Sequence, residues 1–363
     1  MRKRYGRDSK GKLVHTADVY TDEEHGIDRR SLDGDAVKVV RRLQRHGFDA
    51  YVVGGAVRDL LLGKHPKDFD VSTDATPNQI RRLFRNSRVI GKRFRLVHIL
   101  FRDKVIEVST FRSEESEGFK NLFGSIDEDV RRRDFTANAL YLDPVENTVV
   151  DYVGGVRDVR KRRLREVIPV SRIFVEDPVR MIRAFKYANT AGLAPSRRIR
   201  RRIKKDAPRL TNTPPSRLTE EIFKILNSGH ARGIVSDLIE FGLFGAILPG
   251  AAELANRRNG YRHVLLGRLG ELDARRSASG PLDRTDLVMY LTADYLLRYS
   301  PLADSRRIPF RDAYYEVKEF LRPVTPANKE VEGAINEAFR LKRRLIQTSP
   351  GRSTGAPALE STP

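Results

Sequence analysis

The chain has 363 residues, of which 69 are Lys or Arg and 48 are Asp or Glu, so its formal net charge at pH 7 is +21. Hydrophobic residues make up 39% of it, which fits a globular protein of two or three domains, and no apolar run approaches the length that spans a membrane. Because there is no cysteine, disulfides, Cys-ligated zinc sites and thiol catalysis are excluded, which fits a cytoplasmic protein.

The elements predicted for the first part of the chain lead to a pair of aspartates. Residues 1–32 are polar and mixed in charge, which predicts a flexible segment. A helix is predicted over 33–47, because apolar residues recur at helical spacing before a glycine. A short strand over 51–53, a Gly54–Gly55 turn and a helix follow, and the next strand carries Asp68 and Asp70.

The elements after this pair change from mixed to helical. A helix capped at Thr76–Pro77, two strands over 95–101 and 104–111, and an exposed loop over 113–125 are predicted first. A helix over 127–140 and a strand over 148–155 complete an α+β region of about 150 residues. From about residue 170 the pattern is mainly helical, and the tail at 349–363 is predicted to be disordered. The helical segments after residue 210 are 217–228, 231–247, 284–299 and 311–321.

The segment Asp68-Phe69-Asp70 is the most informative part of the sequence. Strand side chains alternate between faces, so the two carboxylates share one face while Phe69 points into the protein. Their charges repel, and a bound divalent cation would neutralise both. The helix that opens after Gly54–Gly55 presents backbone N–H groups that suit phosphate. Together, these features predict phosphoryl or nucleotidyl transfer.

A two-metal site usually needs a third acidic ligand, and two residues are candidates for it. Glu107 is the only charge inside the β-branched run at 105–108, and Asp134 follows three arginines on the predicted helix. The alternatives are an edge-strand acid that faces water for Glu107 and a salt-bridged helix residue for Asp134. The sequence leaves both choices open.

Three groups of polar residues are candidates for nucleotide contacts. Guanidinium groups of the run at 131–133 match the oxygens of a triphosphate or an RNA backbone. Asn138 lies four residues after Asp134, on the same face of the predicted helix, and could reach a ribose. Asp177 and Arg180, three residues apart, offer an acceptor and a forked donor to the edge of a base. The spacing alone favours the alternative, an ordinary ion pair at a helix start.

The positive charge favours a polyanionic partner over the alternative in which basic runs only solvate helix faces. Two runs, at 160–165 and 197–205, are natural phosphate contacts, and such contacts set affinity and salt dependence rather than sequence choice. In the second run, Ile199 and Ile203 would face the core while the arginines face outward. The predicted RNA-binding residues are Arg160, Lys161, Arg162, Arg163, Arg197, Arg198, Arg200, Arg201 and Arg202.

Other classes of site do not fit. Gly63–Lys64 lacks the following Ser or Thr and the upstream glycine of a P-loop. The seven histidines show no metal-like pairing, so His98 is predicted to be a packed strand residue.

Five motifs, in order over residues 35–250, resemble the class II branch of the nucleotidyltransferase superfamily. This branch holds CCA-adding tRNA nucleotidyltransferases and bacterial poly(A) polymerases. The motifs are Gly54-Gly55-x-x-Arg58-Asp59, Asp68-Phe69-Asp70, Glu107-Val108-x-Thr110-Phe111-Arg112, Arg132-Arg133-Asp134-Phe135-Thr136-x-Asn138 and Glu176-Asp177-Pro178-x-Arg180.

The resemblance implies a nucleotidyltransferase head with a mixed five-stranded sheet, followed by all-α neck, body and tail domains. The predicted bounds are 33–155 for the head, 156–230 for the neck, 231–345 for the body and tail, and 346–363 for the disordered end. It also implies Mg²⁺ in a two-metal site on Asp68 and Asp70, with either Asp134 or Glu107 as the third catalytic carboxylate, and ATP as the substrate. The implied nucleotide-binding residues are Gly54, Gly55, Arg58, Arg112, Arg133, Asn138, Asp177 and Arg180.

The segment at 89–99 separates the two activities of this branch. It resembles that of bacterial poly(A) polymerases, whereas CCA-adding enzymes usually have a less basic and more glycine-rich stretch there. The resemblance therefore implies a monomeric, cytoplasmic enzyme that adds AMP to RNA 3′ ends, with RNA-decay proteins as further partners. The alternatives are CCA addition to tRNA and a catalytically silent RNA-binding protein, the latter opposed by four intact carboxylates.

Overall fold

A computed structural model describes residues 2–7, 11–91, 95–113, 123–257, 259–305 and 307–348. The chain divides into two units, Met1–Leu210 and Thr211–Pro363. This division lies inside the predicted neck, and the predicted boundaries at 155/156 and 230/231 stay predictions. Most of the loop predicted over 113–125, part of the 89–99 segment and the tail at 349–363 lie outside the described residues.

The first unit is built on a mixed sheet whose described strands follow the order β1-β2-β9-β8-β3-β4-β7-β6-β5. Strands β4 and β7 pair in parallel, and the other neighbouring pairs in this sheet are antiparallel. The strands are β1 (Arg2–Arg7), β2 (Leu13–Tyr20), β3 (Ala50–Val53), β4 (Asp70–Thr73), β5 (Ser87–Ile90), β6 (Leu96–Leu100), β7 (Val105–Thr110), β8 (Leu140–Asp143) and β9 (Thr148–Asp151).

Nine helices accompany this sheet among the described residues of the first unit, with 3-10 turns at Arg29–Ser31, Thr136–Asn138 and Ala207–Asn212. A small parallel pair, β10 (Arg163–Leu164) with β11 (Ala194–Pro195), links two of the later segments. The helices are α1 (Asp22–His25), α2 (Gly34–Arg45), α3 (Gly55–Leu61), α4 (Pro77–Leu83), α5 (Ile126–Arg131), α6 (Gly155–Arg160), α7 (Ile173–Glu176), α8 (Val179–Ala191) and α9 (Arg197–Asp206).

Local sequence signals place several of these elements as predicted. The Asp33 carboxylate accepts hydrogen bonds from two backbone N–H groups in the first turn of α2. Thr76 and Gln79 form a capping box at the start of α4, with the proline in its first turn. Strands β6 and β7 form the predicted antiparallel pair.

The prediction of a flexible segment over 1–32 is wrong, since β1 and β2 extend the sheet beyond β9. Strand β1 is almost fully exposed and consists of charged and polar residues, so it has no hydrophobic pattern that marks a strand. Its structure comes from hydrogen bonds to β2 instead. With these two strands, β5 and β8, the described sheet has nine strands rather than the five expected.

The prediction of one helix over 127–140 is also wrong. Helix α5 ends at Arg131, and a bend, a 3-10 turn and strand β8 follow. Six consecutive residues, 135–140, are buried. A single amphipathic helix on a protein surface cannot bury every successive side chain, and this continuous burial explains the departure from helix.

The second unit is helical throughout its described residues. Helices α10, α11, α15 and α16 lie where helices are predicted, although α11 ends at a turn through Gly242, whose φ is 75°. Three further helices, α13, α14 and α17, have no individual counterpart among the predicted helices, although they lie in the region predicted to be mainly helical. The helices are α10 (Pro215–Leu226), α11 (Ala231–Glu240), α12 (Phe244–Ile247), α13 (Pro249–Arg257), α14 (Asn259–Ser279), α15 (Arg284–Asp294) with a π-helical turn at Tyr295–Tyr299, α16 (Phe310–Leu321) and α17 (Asn328–Thr348).

Across the described residues, every helix is too short or too polar to cross a lipid bilayer.

Gly155, the first residue of α6, offers a test of packing next to the site. A Cβ there would overlap the carbonyl oxygen of Thr136, which is backbone and cannot rotate away. We expect Gly155→Ala to lower the free energy of unfolding by about 2–3 kcal/mol, because overpacking forces the backbone to shift. The matched control is Gly34→Ala in the first turn of α2, where nothing lies within 4 Å of the new methyl group. Urea denaturation compares them, and equal midpoints for the two variants would contradict the prediction.

Candidate active site

The two aspartates of the 68–70 segment lie where β4 begins. Asp70 is the first residue of β4 and pairs with Val53, the last residue of β3. The side chain of Phe69 is buried, whereas Asp68 and Asp70 are exposed. The alternation predicted from the sequence is confirmed, and both carboxylates lie on the solvent side.

The parallel pairing of β4 with β7 brings a third carboxylate to this place. Val71 of β4 is in register with Val108 of β7, so Asp70 and Glu107, the preceding residue on each strand, are neighbours. This pairing joins residues 37 positions apart in the sequence.

The electrostatics of Asp70 show how close the acids are. Burial raises the pKa of its carboxyl to about 6, helped by the negative charges of Glu107 and Asp68 and opposed by the positive charge of Arg133. Part of the Asp70 side chain is still exposed to solvent. The surrounding protein therefore reduces the hydration of this carboxylate but does not remove it from water completely. The folded chain therefore holds Asp70 where its ionised form is disfavoured.

A divalent cation suits this arrangement in part. Among the described residues, no group of three or more His, Cys, Asp and Glu side chains is arranged to hold a metal ion. Mg²⁺, however, is commonly bound by one or two carboxylates, with water and substrate phosphates as its other ligands. The mutual repulsion at Asp68, Asp70 and Glu107 fits a site of that kind.

His98 lies beside this cluster, although the sequence predicted only a packed strand residue. It is the direct cross-strand partner of Glu107, and its Nε2 is 3.3 Å from Oε2 of that residue. Its side chain is 32% exposed, so the contact forms at the surface of the sheet.

Asp134 lies in a different, internal network. Its Oδ1 accepts hydrogen bonds from the backbone N–H of Phe135 at 2.7 Å and from Nδ2 of Asn138 at 3.1 Å. Its Oδ2 is 3.0 Å from Nη2 of Arg183, on α8. Only 4% of the Asp134 side chain is exposed. Oδ1 is therefore satisfied within the protein, whereas Oδ2 has the ion pair with Arg183 but no hydrogen-bond partner among the described residues.

The predicted neighbours Asp134 and Asn138 do meet, but through the 3-10 turn rather than along an α-helix. Asn138 links Asp134 to Arg58, because its Oδ1 accepts a hydrogen bond from Nη1 of Arg58 at 2.6 Å. Arg58 also donates to Oδ1 of Asp59 at 2.9 Å, and its guanidinium lies over the ring of Tyr187 at 4.9 Å. The network therefore ties α3, which follows the glycine turn, to α8.

The glycine turn requires its first glycine. Gly54 has φ 70° and ψ −125°, a conformation that side chains with a Cβ rarely adopt. A Cβ there would lie 3.4 Å from Nη1 of Arg133. Gly55 begins α3, next to the guanidinium of Arg58. The turn thus packs directly on two of the predicted nucleotide-binding arginines.

Arg112, Arg132 and Arg133 form the positive side of the site. Burial lowers the pKa of the Arg112 guanidinium, the charges of Arg132 and Arg133 lower it further, and Asp129 opposes them. Arg132 donates to the carbonyl oxygen of Ser113 at 2.6 Å. Glu107 also raises the pKa of Arg112, so three guanidinium groups lie near two carboxylates, and the remaining positive charge is suited to an anion such as a triphosphate.

Asp177 and Arg180 lie at the start of α8, and the side-chain contacts described for them are with other residues. Arg180 Nη1 is 3.3 Å from Oε2 of Glu176, and its Nη2 donates to the carbonyl oxygen of Arg132 at 3.2 Å. Asp177 Oδ1 accepts a hydrogen bond from the backbone N–H of Val179 at 3.1 Å. Arg180 thus joins α8 to the arginine cluster.

The predicted RNA-binding residues separate into two sets. Three of them make hydrogen bonds within the protein. Arg160 donates to a backbone carbonyl of α1, Arg162 to the Ala191 carbonyl and Arg202 to Asp206. Arg160 and Arg162 are nevertheless exposed, and Ile199 and Ile203 are buried as predicted. The exposed set outside these three arginines is Lys161, Arg163, Arg197, Arg198, Arg200 and Arg201.

A groove of about 840 Å³ brings part of the exposed set together around β10 and β11. Lys161, Arg163 and Arg198 line it, joined by Arg157 and Arg165. Basic residues outnumber acidic ones along its walls, and this suits a phosphate backbone.

Sequence reasoning missed four residues that the fold places at or under the site. His98 reaches it through the pairing of β6 with β7, so its helical or strand period alone does not identify it. Asp129 carried a usable signal, because it lies four residues before Arg133 and pairs with it. Tyr141 is buried on β8, a strand for which the sequence gives no prediction. Arg183 carried a usable signal, because it lies about one helical turn after Arg180, just beyond the motif.

Two segments of the chain match protein-family models. Residues 50–165 match the poly A polymerase head domain, and residues 192–254 match the "probable RNA and SrmB-binding site of polymerase A". The first model covers the glycine turn, the aspartates, Glu107 and the arginine cluster.

Similar proteins carry two different names. The chain is 44% identical over 243 residues to poly(A) polymerase I of Salmonella typhi, which covers 62% of this chain and 52% of that protein. It is 35% identical over 224 residues to the CCA-adding enzyme of Geobacillus stearothermophilus, covering 60% and 55%. The chain thus spans about half the length of the curated relatives it matches. A crystal structure of the Bacillus stearothermophilus CCA-adding enzyme in complex with CTP has a TM-score of 0.56 and 28% identity, over 86% of this chain and 82% of that chain.

Proposed function

The chain belongs to the nucleotidyltransferase family of poly(A) polymerases and CCA-adding enzymes, and from this membership we propose that it is a template-independent polynucleotide adenylyltransferase. It would add AMP from ATP to RNA 3′ ends. The observation that carries the proposal is the carboxylate cluster of Asp68, Asp70 and Glu107 on neighbouring strands, opposite the arginines around the glycine turn. Adenylate addition is favoured because the match to poly(A) polymerase I is 44% identical, against 35% for the CCA-adding enzyme.

In the proposed reaction, O3′ of the RNA loses its proton and forms a bond to the α-phosphorus of ATP. The bond from that phosphorus to the β-phosphate oxygen breaks, and pyrophosphate leaves. Asp68 and Asp70 would hold Mg²⁺, with Glu107 as the third carboxylate. Such an ion supplies Lewis-acid stabilisation of the charge on the phosphate oxygens.

The other predicted residues receive roles that follow their contacts. Arg112 and Arg133 would bind phosphate oxygens near the Gly54–Gly55 turn. Asp134 would act indirectly, because it orients Asn138, which in turn contacts Arg58. Asp177 and Arg180 remain proposed contacts to the base.

The proposed cellular context is a cytoplasmic monomer that acts with RNA-decay proteins. Support for a protein partner comes from the second family match, whose description names a binding site for RNA and SrmB over residues 192–254.

Extension of two labelled RNAs tests this function. Oligo(A) and a tRNA lacking CCA are incubated with Mg²⁺ and single nucleotides. A long ladder on oligo(A) with ATP alone would support adenylate addition. Addition of C, C and A to the tRNA, followed by a stop, would instead assign the second candidate, which the 35% identity to a CCA-adding enzyme favours. Silence with both RNAs, despite binding of RNA, would favour a catalytically silent RNA-binding protein.

The basic groove predicts a specific salt dependence of RNA binding. We expect the triple variant Lys161→Ala, Arg163→Ala and Arg198→Ala to weaken binding to single-stranded RNA. The slope of log affinity against log salt should become shallower by about 2, since each lost phosphate contact removes about 0.7 for single strands. Fluorescence anisotropy at several salt concentrations measures both quantities.

The control for the groove removes the same number of charges elsewhere on the first unit. Arg81, Arg82 and Arg85 are exposed, on or just after α4, and their triple alanine variant loses the same net charge. Equal slopes for the two triple variants would show that net charge alone, rather than the groove, accounts for RNA binding.

A further inference from the structure

Asp129, Tyr141 and Arg133 form a buried cluster beneath the glycine turn. Asp129 is 8% exposed near the end of α5, and Tyr141 is fully buried on β8. Arg133 lies in the bend between these elements, with its guanidinium 4.9 Å from the centre of the Tyr141 ring. None of the functional roles assigned above uses Asp129 or Tyr141.

The cluster fixes the guanidinium of Arg133 from three sides. Nε donates to the hydroxyl of Tyr141 at 3.0 Å, and Nη2 donates to Oδ2 of Asp129 at 2.9 Å. Nη1 donates to the carbonyl oxygen of Asn138 at 3.0 Å. A guanidinium has five N–H groups, so these contacts engage three and leave two for another acceptor.

The Tyr141 hydroxyl fixes which groups in the cluster donate and which accept hydrogen bonds. It donates to Oδ2 of Asp129 at 2.6 Å while it accepts from Arg133. Burial raises the pKa of Tyr141 well above its ordinary value of 10, so the hydroxyl keeps its proton at neutral pH. The hydrogen-bond pattern therefore has one arrangement, and Phe in place of Tyr141 would remove both bonds while keeping the ring.

The position of Arg133 relates this cluster to the site. Its Nη1 lies under the turn, 3.4 Å from where a Cβ of Gly54 would be. Its charge also acts on Asp70, as noted above. Arg133 thus lies close to both the turn and the carboxylate of Asp70.

We propose that Asp129 and Tyr141 are positioning residues that hold Arg133 beneath the glycine turn, so that its remaining N–H groups bind a phosphate oxygen of the nucleotide. This inference rests on the proposed function, because it takes a nucleoside triphosphate as the ligand. A flexible arginine side chain loses conformational entropy when it binds a phosphate, and this loss lowers the affinity. An arginine already held in the binding geometry avoids most of this loss. The expected consequence is affinity for phosphate rather than for the base or sugar.

The test compares Tyr141→Phe with Tyr152→Phe. Tyr152 is a neighbour of Tyr141, with ring centres 6.2 Å apart, but its hydroxyl accepts a hydrogen bond from Arg4 rather than from Arg133. We expect Tyr141→Phe to weaken ATP binding about tenfold and adenosine binding less than twofold, with the fold intact by circular dichroism. A role in stability alone would leave both affinities unchanged or lower both together.

A double-mutant cycle with Arg133→Ala shows whether Tyr141 acts through Arg133. If it does, Tyr141→Phe should have no further effect on ATP affinity once Arg133 is alanine. Additive losses would overturn the inference. Should the Arg133→Ala protein fail to fold, the ratio of ATP to adenosine affinity in Tyr141→Phe alone decides the question.

The outcomes separate this inference from the proposed function. ATP binding is measured on the full chain without RNA, so it does not depend on turnover. Wild-type protein that adds AMP, together with a Tyr141→Phe variant that matches Tyr152→Phe in ATP binding, would overturn the positioning role alone. Wild-type protein that binds ATP but extends no RNA would overturn the proposed function alone.

Discussion

Asp70→Asn is expected to lower the rate of nucleotide addition by about three orders of magnitude. The change removes a proposed Mg²⁺ ligand, and the several kcal/mol of transition-state stabilisation that such an ion provides corresponds to roughly this factor. It should not weaken the fold, because Asp70 is repelled by Glu107 and Asp68. In metal-free buffer, the free energy of unfolding should therefore stay equal or rise. RNA affinity should stay within about twofold, since the basic groove is untouched. Single-turnover extension of oligo(A) and urea denaturation measure these quantities.

Asp103→Asn is the matched control for this prediction. It removes the same charge from an exposed position in the turn between β6 and β7, outside the carboxylate cluster. Its rate should equal that of the wild type. An Asp70→Asn protein that keeps a tenth or more of the activity would contradict the role of Asp70. A large loss of stability would instead assign Asp70 a structural role.

The parts of the site that the sequence predicts correctly depend on short-range patterns. The period of two along a strand places Phe69 inside and its two aspartate neighbours outside. Likewise, Ile199 and Ile203 are buried because residues four apart share a face of α9. Each of these features follows from a segment of fewer than ten residues.

The parts that it misses depend on pairings between distant segments. That Glu107, rather than Asp134, lies beside Asp70 follows from the parallel register of β4 and β7, which no local pattern contains. The bend after α5 arises because residues 135–140 are all buried, so tertiary packing outweighs the helical spacing of Asp134 and Asn138. The positioning of Arg133 by Tyr141 likewise requires β8 to be recognised first.

The register of β4 with β7 leads to the second prediction, which distinguishes the role of Asp134 from that of Glu107. Asp134→Ala is expected to lower the free energy of unfolding by about 1–3 kcal/mol, because it removes an acceptor of the buried Asn138 amide. The lost ion pair with Arg183 adds little, since that side chain is 35% exposed and also donates to the Tyr187 hydroxyl. Loss of activity beyond the fraction of unfolded protein should be less than tenfold, since Asp134 acts only through Asn138 and Arg58. Thermal denaturation and extension assays on the same samples measure the two effects together.

Glu107→Gln is expected to lower the rate of nucleotide addition while leaving the stability of the fold almost unchanged. Its side chain is 42% exposed and has a surface contact with His98, so its loss should change stability by less than about 0.5 kcal/mol. The rate of nucleotide addition should fall by about two to three orders of magnitude, because a third carboxylate beside Asp70 is removed. His98→Gln serves as the control, since it removes the same contact and leaves the carboxylate in place. If Glu107→Gln remained active while a fully folded Asp134→Asn variant did not, the third carboxylate would be Asp134, and Glu107 would be an edge-strand acid that faces water.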